Sequence, residues 1–363
     1  MNIADLRCHA SAVAAAVLVG CAAAQSPNQA SPLVPSTTAR SAHKLKSYVY
    51  VGLCCSFFNK DEIVVYDLAL TGVARTITKR VTSPTYLTVD RSGRLYYVNG
   101  YSGSVTEYDR GSENPSRDIK LHGALAVATD SSNNLYLAAC PRCIPYGYGR
   151  SSVAVYRAGT TKLLRSITKG IDAPVSVAID TNDNVYVANN SYAHPSVAVY
   201  AAGSSKPLRR LTRDLTSPTE LALDSSNDVF VLDSSANTSE GPHIVEYEAG
   251  SNKVLRAISR GLSSTPAIAV DGSGTLYAAN APVVGRSWIS VYAPGVLTPS
   301  YRIKDGVSDP TLVTVDGENS LYVANENYDG GTICVYPSNS RRPLRCIQVR
   351  QGIDQPSSMA FGP

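Results

Sequence analysis

Residues 179 to 190 read IDTNDNVYVANN, and within them Asp180, Asn182, Asp183 and Asn184 are oxygen-bearing side chains of the kind that ligate calcium. An EF-hand loop in this register needs glycine where Val185 stands and a carboxylate where Ser191 stands, so the stretch departs from that template. Other residues with reactive chemistry lie elsewhere in the chain. Glu220 and Asp233, with His122, His194 and His243, are the residue types of a divalent-metal site or an acid/base pair. Cys140 and Cys143, in Cys-Pro-Arg-Cys, have the spacing of a redox dithiol or of half a zinc site. A thioredoxin-type role needs a strand-then-helix context that the flanking residues lack. No Ser-His-Asp or other nucleophile signature is visible.

What positions these residues is a repeat. The opening stretch recurs as YLTVDRSGRLYYVN from 86, VATDSSNNLYLAA from 127, LALDSSNDVFVLD from 221, IAVDGSGTLYAAN from 268 and VTVDGENSLYVAN from 313. The marker aspartates Asp90, Asp130, Asp180, Asp224, Asp271 and Asp316 are 40, 50, 44, 47 and 45 residues apart. Six positions after each comes an aromatic: Tyr96, Tyr136, Tyr186, Phe230, Tyr277 and Tyr322. A second tyrosine column, Tyr66, Tyr108, Tyr156, Tyr200, Tyr247, Tyr292 and Tyr336, ends strands of alternating pattern. A further strand follows, with Arg-x-Ile or Arg-x-Leu at Arg75, Arg117, Arg165, Arg209, Arg256 and Arg345, while SYRIKD departs by one residue.

Four short strands in a unit of about 45 residues predict a β-propeller blade, strand A innermost and D outermost. Before the first marker lie only SYVYVGL, EIVVYDL and ARTITK, and SSMAFGP ends the chain as an A strand with nothing after it. The chain therefore reads as an all-β, seven-bladed propeller over residues 47–363. Its last blade is closed by the C-terminal strand pairing beside the N-terminal segment, which removes the open seam.

The third residue after each marker is Gly93, Asn133, Asp183, Asn227, Gly274 or Asn319, types that accept the positive φ of a tight A-to-B hairpin. By that reading Asp180 to Asn184 is a turn. Two residues before the marker the A strands carry Thr88, Ala128, Ala178, Ala222, Ala269, Thr314 and Ala360, small enough for the crowded axis. Lys162, Lys206, Arg210, Arg260, Arg341 and Arg342, on or near the D strands, read as charge that keeps exposed edges from pairing, or else as a polyanion surface.

The unit "Pro, apolar A strand ending in Asp, turn, Leu-Tyr-Val-Ala-Asn, loop, Ser-Val-x-Val-Tyr" resembles NHL-repeat propellers and their gluconolactonase and streptogramin-lyase relatives, across residues 47–363. That superfamily holds lactone hydrolases, lyases and pure binding modules. Such propellers bind where D-to-A and B-to-C loops surround the axis, a face that here gathers Asn99, Asn189, Asp233, Asn280 and Asn325 at the ends of the B strands. Ala139 breaks that series. Glu220 is the one carboxylate in a column otherwise made of Tyr86, Ala126, Ser176, Ala267, Leu312 and Ser358, and His122, His194 and His243 belong to loops on the same face. The axial Glu, Asn and Asp cage of the related hydrolases implies Glu220, Asn189 and Asp233 around one divalent cation. A repeated Asn also bonds backbone at a loop start, and loop histidines are commonly solvated. The first expectation is thus a binding module without cofactor, acting on a protein, glycan or small ligand as a monomer. A metal-dependent hydrolase or lyase is the alternative.

The N-terminus carries an address. One basic residue, Arg7, precedes the apolar SAVAAAVLVG, and Leu18-Val19-Gly20-Cys21 resembles the lipobox of bacterial lipoproteins. Residues 1–20 then form an export signal, Cys21 is the acylated anchor, and the Ser/Pro/Ala/Gln-rich 21–46 is a flexible tether to a cell-envelope membrane. Ala22 fits outer-membrane delivery. The net charge is only +4 over 363 residues, and no Lys/Arg run is interleaved with aromatics, which argues against nucleic acid as partner. Export leaves Cys54, Cys55, Cys140, Cys143, Cys334 and Cys346 to form bridges. Cys334 with Cys346, on one C–D hairpin, is the best pair, and the other four bridge to each other or internally.

Overall fold

The computed structural model describes residues 47–54, 61–143, 149–234, 241–326, 330–349 and 355–363. The expected export signal and tether, with Cys21, and also Cys55 lie outside the described residues. The strands form seven four-stranded antiparallel sheets, each ordered A-B-C-D, and these are the blades of a propeller. Blade 4 is representative: A is Pro174–Ile179, B Val185–Asn189, C Ser196–Tyr200 and D Pro207–Leu211. Blade 1 is the split one, with Gln355–Gly362 as its A strand beside Tyr48–Cys54. The pairing runs from Tyr48 opposite Gly362 to Cys54 opposite Gln355, so the first and last strands of the propeller are held in one sheet. A Cβ on Gly52 would come within 2.9 Å of the Pro84 carbonyl oxygen, so this seam needs glycine where blade 1 meets blade 2.

Seven apolar clusters hold the ring, one between each pair of neighbouring blades. Between blades 3 and 4, for instance, Ala126, Ala128, Tyr136 and Val153 meet Val177, Ile179, Val187 and Tyr200. Strand alternation explains the sidedness: alternate side chains point to opposite neighbours, so the B-strand tyrosine faces the next blade and the C-strand tyrosine the previous one. Small A-strand residues let the blades converge at the axis, and the tyrosines fill the widening gap further out.

Blade 6 differs from its sisters. Its A strand has only three residues, Ile268–Val270, against six in blades 2 to 5 and 7. Those five also have a register shift near the start of strand A, which blade 6 lacks. Its proline, Pro266, stands five residues before the marker, whereas Pro84, Pro174, Pro218 and Pro310 stand six before theirs.

Candidate functional site

The aspartate markers are turn-builders. In blade 4 one Asp180 oxygen accepts the backbone N–H of Asn182 at 2.9 Å and of Asn184 at 2.8 Å. The other accepts the Asn184 amide at 2.8 Å and the Tyr186 hydroxyl at 3.1 Å. Asp183 has φ 60°, as the hairpin requires, and reaches into the neighbouring turn, where it accepts the Ser131 backbone N–H at 2.8 Å. Asn133, Asn227 and Asn319 make the same reach to Arg91, Thr181 and Gly272, so one residue type both turns the chain and ties adjacent blades. The two carboxylates of the cluster that suggested calcium spend their oxygens on this frame.

The tyrosine six residues on extends the frame outwards. Tyr136 donates to Asp130 at 3.2 Å and accepts from Arg165 of strand D at 2.9 Å, and the Arg165 guanidinium lies 5.5 Å from its ring centre. The Arg-x-Ile motif is therefore a strap across the blade in blade 3 and, through Arg75 and Tyr50, in blade 1. Blade 5 has Phe230 in place of tyrosine, and there Arg256 pairs with the buried Glu246 of strand C. In blade 6, SYRIKD puts Tyr301 opposite Val291, and the displaced Arg302 lies over Trp288.

At the opposite end of the blades, the B-strand carboxamides are buried and bonded to the connection entering their own blade. Asn189 accepts the Asp172 N–H at 2.9 Å and donates to the Gly170 carbonyl at 3.0 Å. Asn325 does the same with Ser308 and Gly306, and Asn280 accepts from Ser263 at 2.7 Å. Asp233 accepts the N–H groups of Thr216 and Ser217 and the Thr216 hydroxyl, at 2.7 to 2.8 Å. Asn99 instead caps its own B–C loop through the N–H groups of Tyr101 and Ser102. Glu220 is 1% exposed and crosses to blade 6, where it accepts the Ile268 N–H at 2.8 Å, at the start of the shortened A strand. Burial, and then the negative charge of Glu220, push the Tyr86 hydroxyl up.

His122 and His194 are exposed on this face. His243 stands opposite Asp233 in the B–C pairing, and its Nε2 is 2.7 Å from the Asp214 carbonyl oxygen. Among the described residues no three His, Cys, Asp or Glu side chains come together as a metal-ligand set. Asn189 and Asp233 each hold the connection into their own blade, and Glu220 holds the A strand of blade 6.

One recess on this face, lined by described residues, lies elsewhere, between blades 3 and 4. It has about 620 Å³ of volume and is lined by the B–C loop of blade 3, through Cys140, Arg142, Cys143 and Arg150, and by the connection from Thr168 to Ala173. Cys140 and Cys143 are bonded to each other around a single 3₁₀ turn, Pro141–Cys143. The facing wall is pinned from below: Tyr200 donates to the Lys169 carbonyl at 2.6 Å, and Asn189 holds Gly170 and Asp172. Cys334 and Cys346 are bonded across the C–D pair of blade 7, directly opposite one another. Cys54 is buried at the end of strand B of blade 1. Sequence reasoning passed over Arg142, Arg150 and Lys169. The available signal, for Lys169 alone, was the basic residue that recurs just after strand D, as Lys79, Lys169, Arg213 and Arg260.

Fold and face together define a seven-bladed propeller with a loop-lined recess. No family model matches the chain, and no curated protein matches it. Among solved structures it is similar to a chain of Kuenenia stuttgartiensis hydrazine synthase, at 15% identity and a TM-score of 0.55, covering 70% of this chain and 78% of that one. That likeness is one of fold.

Proposed function

We propose that the chain is an exported, lipid-anchored binding module that presents its B–C and D–A loops to a ligand, as the NHL-like repeat pattern and lipobox imply. The observation that carries this reading is the division of labour on that face. The repeated polar groups are spent on the frame, while the B–C tips display Tyr101, Tyr192 and Val283, the last 98% exposed, and blades 3 and 4 flank a recess of ligand size. Acid/base or metal chemistry at the axis would draw on Glu220 and Asp233, and both hold backbone N–H groups. This favours binding over the hydrolase or lyase reading.

The test pairs fractionation with a ligand screen. Cys21→Ser should move the protein from the membrane to the soluble fraction. Oligosaccharides and small metabolites, screened by thermal shift, should yield a ligand whose effect is lost in Tyr192→Ala. Turnover of a lactone that is abolished by both EDTA and Glu220→Gln would overturn the reading in favour of the enzyme.

A further inference from the structure

The recess between blades 3 and 4 has a chemistry of its own. Arg142, Arg150 and Lys169 line it, and Asp172 is the one acid among its lining residues. One Asp172 oxygen already accepts the Ser191 hydroxyl at 2.5 Å. Among the described residues none of the three cations has a hydrogen-bonding or ion-pair partner, whereas Arg75, Arg117, Arg165 and Arg256 are each engaged by a tyrosine or glutamate. Exposed cations scattered over a surface need no ligand. These three line one recess, on backbone that is held: Arg142 lies inside the Cys140–Cys143 bridge, and Lys169 sits where Tyr200 and Asn189 fasten the opposite wall. Basic residues recur after strand D at Lys79, Arg213 and Arg260, but the lining of this recess joins one to cations of a B–C loop.

We infer that this recess is a binding site for a small molecule bearing two or more oxyanionic groups, whether phosphate, sulfate or carboxylate. The inference rests on the loop face being the binding surface. Guanidinium groups present a planar fork to an oxyanion and an ammonium supplies a point charge, so two arginines and a lysine suit a ligand with separated anionic ends. About 620 Å³ is within the range of small-molecule sites.

The test is calorimetric titration of the detergent-extracted full chain with pyrophosphate and with citrate at low salt, glucose serving as the neutral control. At least one polyanion should bind, more weakly as salt is raised. Each of Arg142→Gln, Arg150→Gln and Lys169→Gln should weaken it about tenfold or more, and the triple variant should abolish binding. Lys162→Gln with Arg341→Gln, on the outer rim, should leave affinity unchanged. Failure of both probes to bind, equal binding by the triple variant, or an equal loss from the rim variant would overturn the inference. If the inference is overturned in one of these ways while a loop-face ligand from the thermal-shift screen still binds the triple variant normally, the broader binding reading stands without it.

Discussion

At the residue scale, the repeat shows what each polar group does by showing what happens when one is missing. Five markers have a tyrosine hydroxyl on their second oxygen, but Asp224 faces Phe230. Burial pushes the Asp224 carboxyl above its usual range, against the pull of the Asp228 N–H, and the charge of Asp228 adds to the rise. The sign follows from linkage: the native state holds this proton at higher pH than the unfolded chain, whose aspartate titrates near about 3.9. The favourable contribution is complete below that value and is lost as pH rises through the native pKa. Asp224→Asn should remove that slope, so urea melts should show the variant gaining on wild type from pH 4 to pH 7. A constant difference across that range would refute the assignment. The same blade contains the buried Arg256–Glu246 pair. Arg256→Met alone strands a buried carboxylate and should cost about 3–5 kcal/mol. Adding Glu246→Val, which installs the residue found at Val155, Val199, Val291 and Val335, should recover most of it. Additive losses in the double-mutant cycle would contradict the pairing.

At the scale of the element, each blade is a sheet whose outer strand is the least protected, and blades fasten it differently. Blade 3 uses Arg165 on Tyr136, and blade 7 bonds Cys334 to Cys346 where blade 3 pairs Ala154 with Ser166. With a sequence separation of 12, the bridge closes a short loop, and removing it should cost about 3 kcal/mol on the chain-entropy account. Cys334→Ala with Cys346→Ser, which restores the blade 3 pair, should therefore lower the denaturation midpoint without changing the far-ultraviolet spectrum. An unchanged midpoint would show the bridge to be ornamental. The hairpins were legible from sequence because their logic is local: marker, turn residue and tyrosine lie within six positions of one another. That Asn189 bonds backbone belongs to the sequence reading; which backbone it bonds was not legible, since its partners Gly170 and Asp172 are 19 and 17 residues away and belong to a connection whose path depends on the neighbouring blade. The shortened A strand of blade 6 was missed as well, because the one-residue shift of Pro266 is small against the variation in repeat length.

At the scale of the whole molecule, stability rests on closure. Each A strand packs against the A strands of both neighbours, and in blade 1 that strand is Gln355–Gly362, from the far end of the chain. Deleting residues 355–363 should expose the edge of Tyr48–Cys54 and the faces of blades 2 and 7, so that the truncated chain aggregates in size-exclusion chromatography and loses a cooperative thermal melt. A truncated chain that melts as a monomer at the wild-type temperature would contradict this. By itself the sequence determined the number of blades, their strand order, the closing strand and the turn identity of Asp180 to Asn184, because these follow from period, alternation and local φ preference. Only the tertiary structure decided that Asn189, Asp233 and Glu220 are fasteners, and that Arg142, Arg150 and Lys169 share one recess. The physical reason is distance along the chain. A side chain's partner across a blade gap is set by how whole sheets pack, and no local pattern encodes which loops then meet.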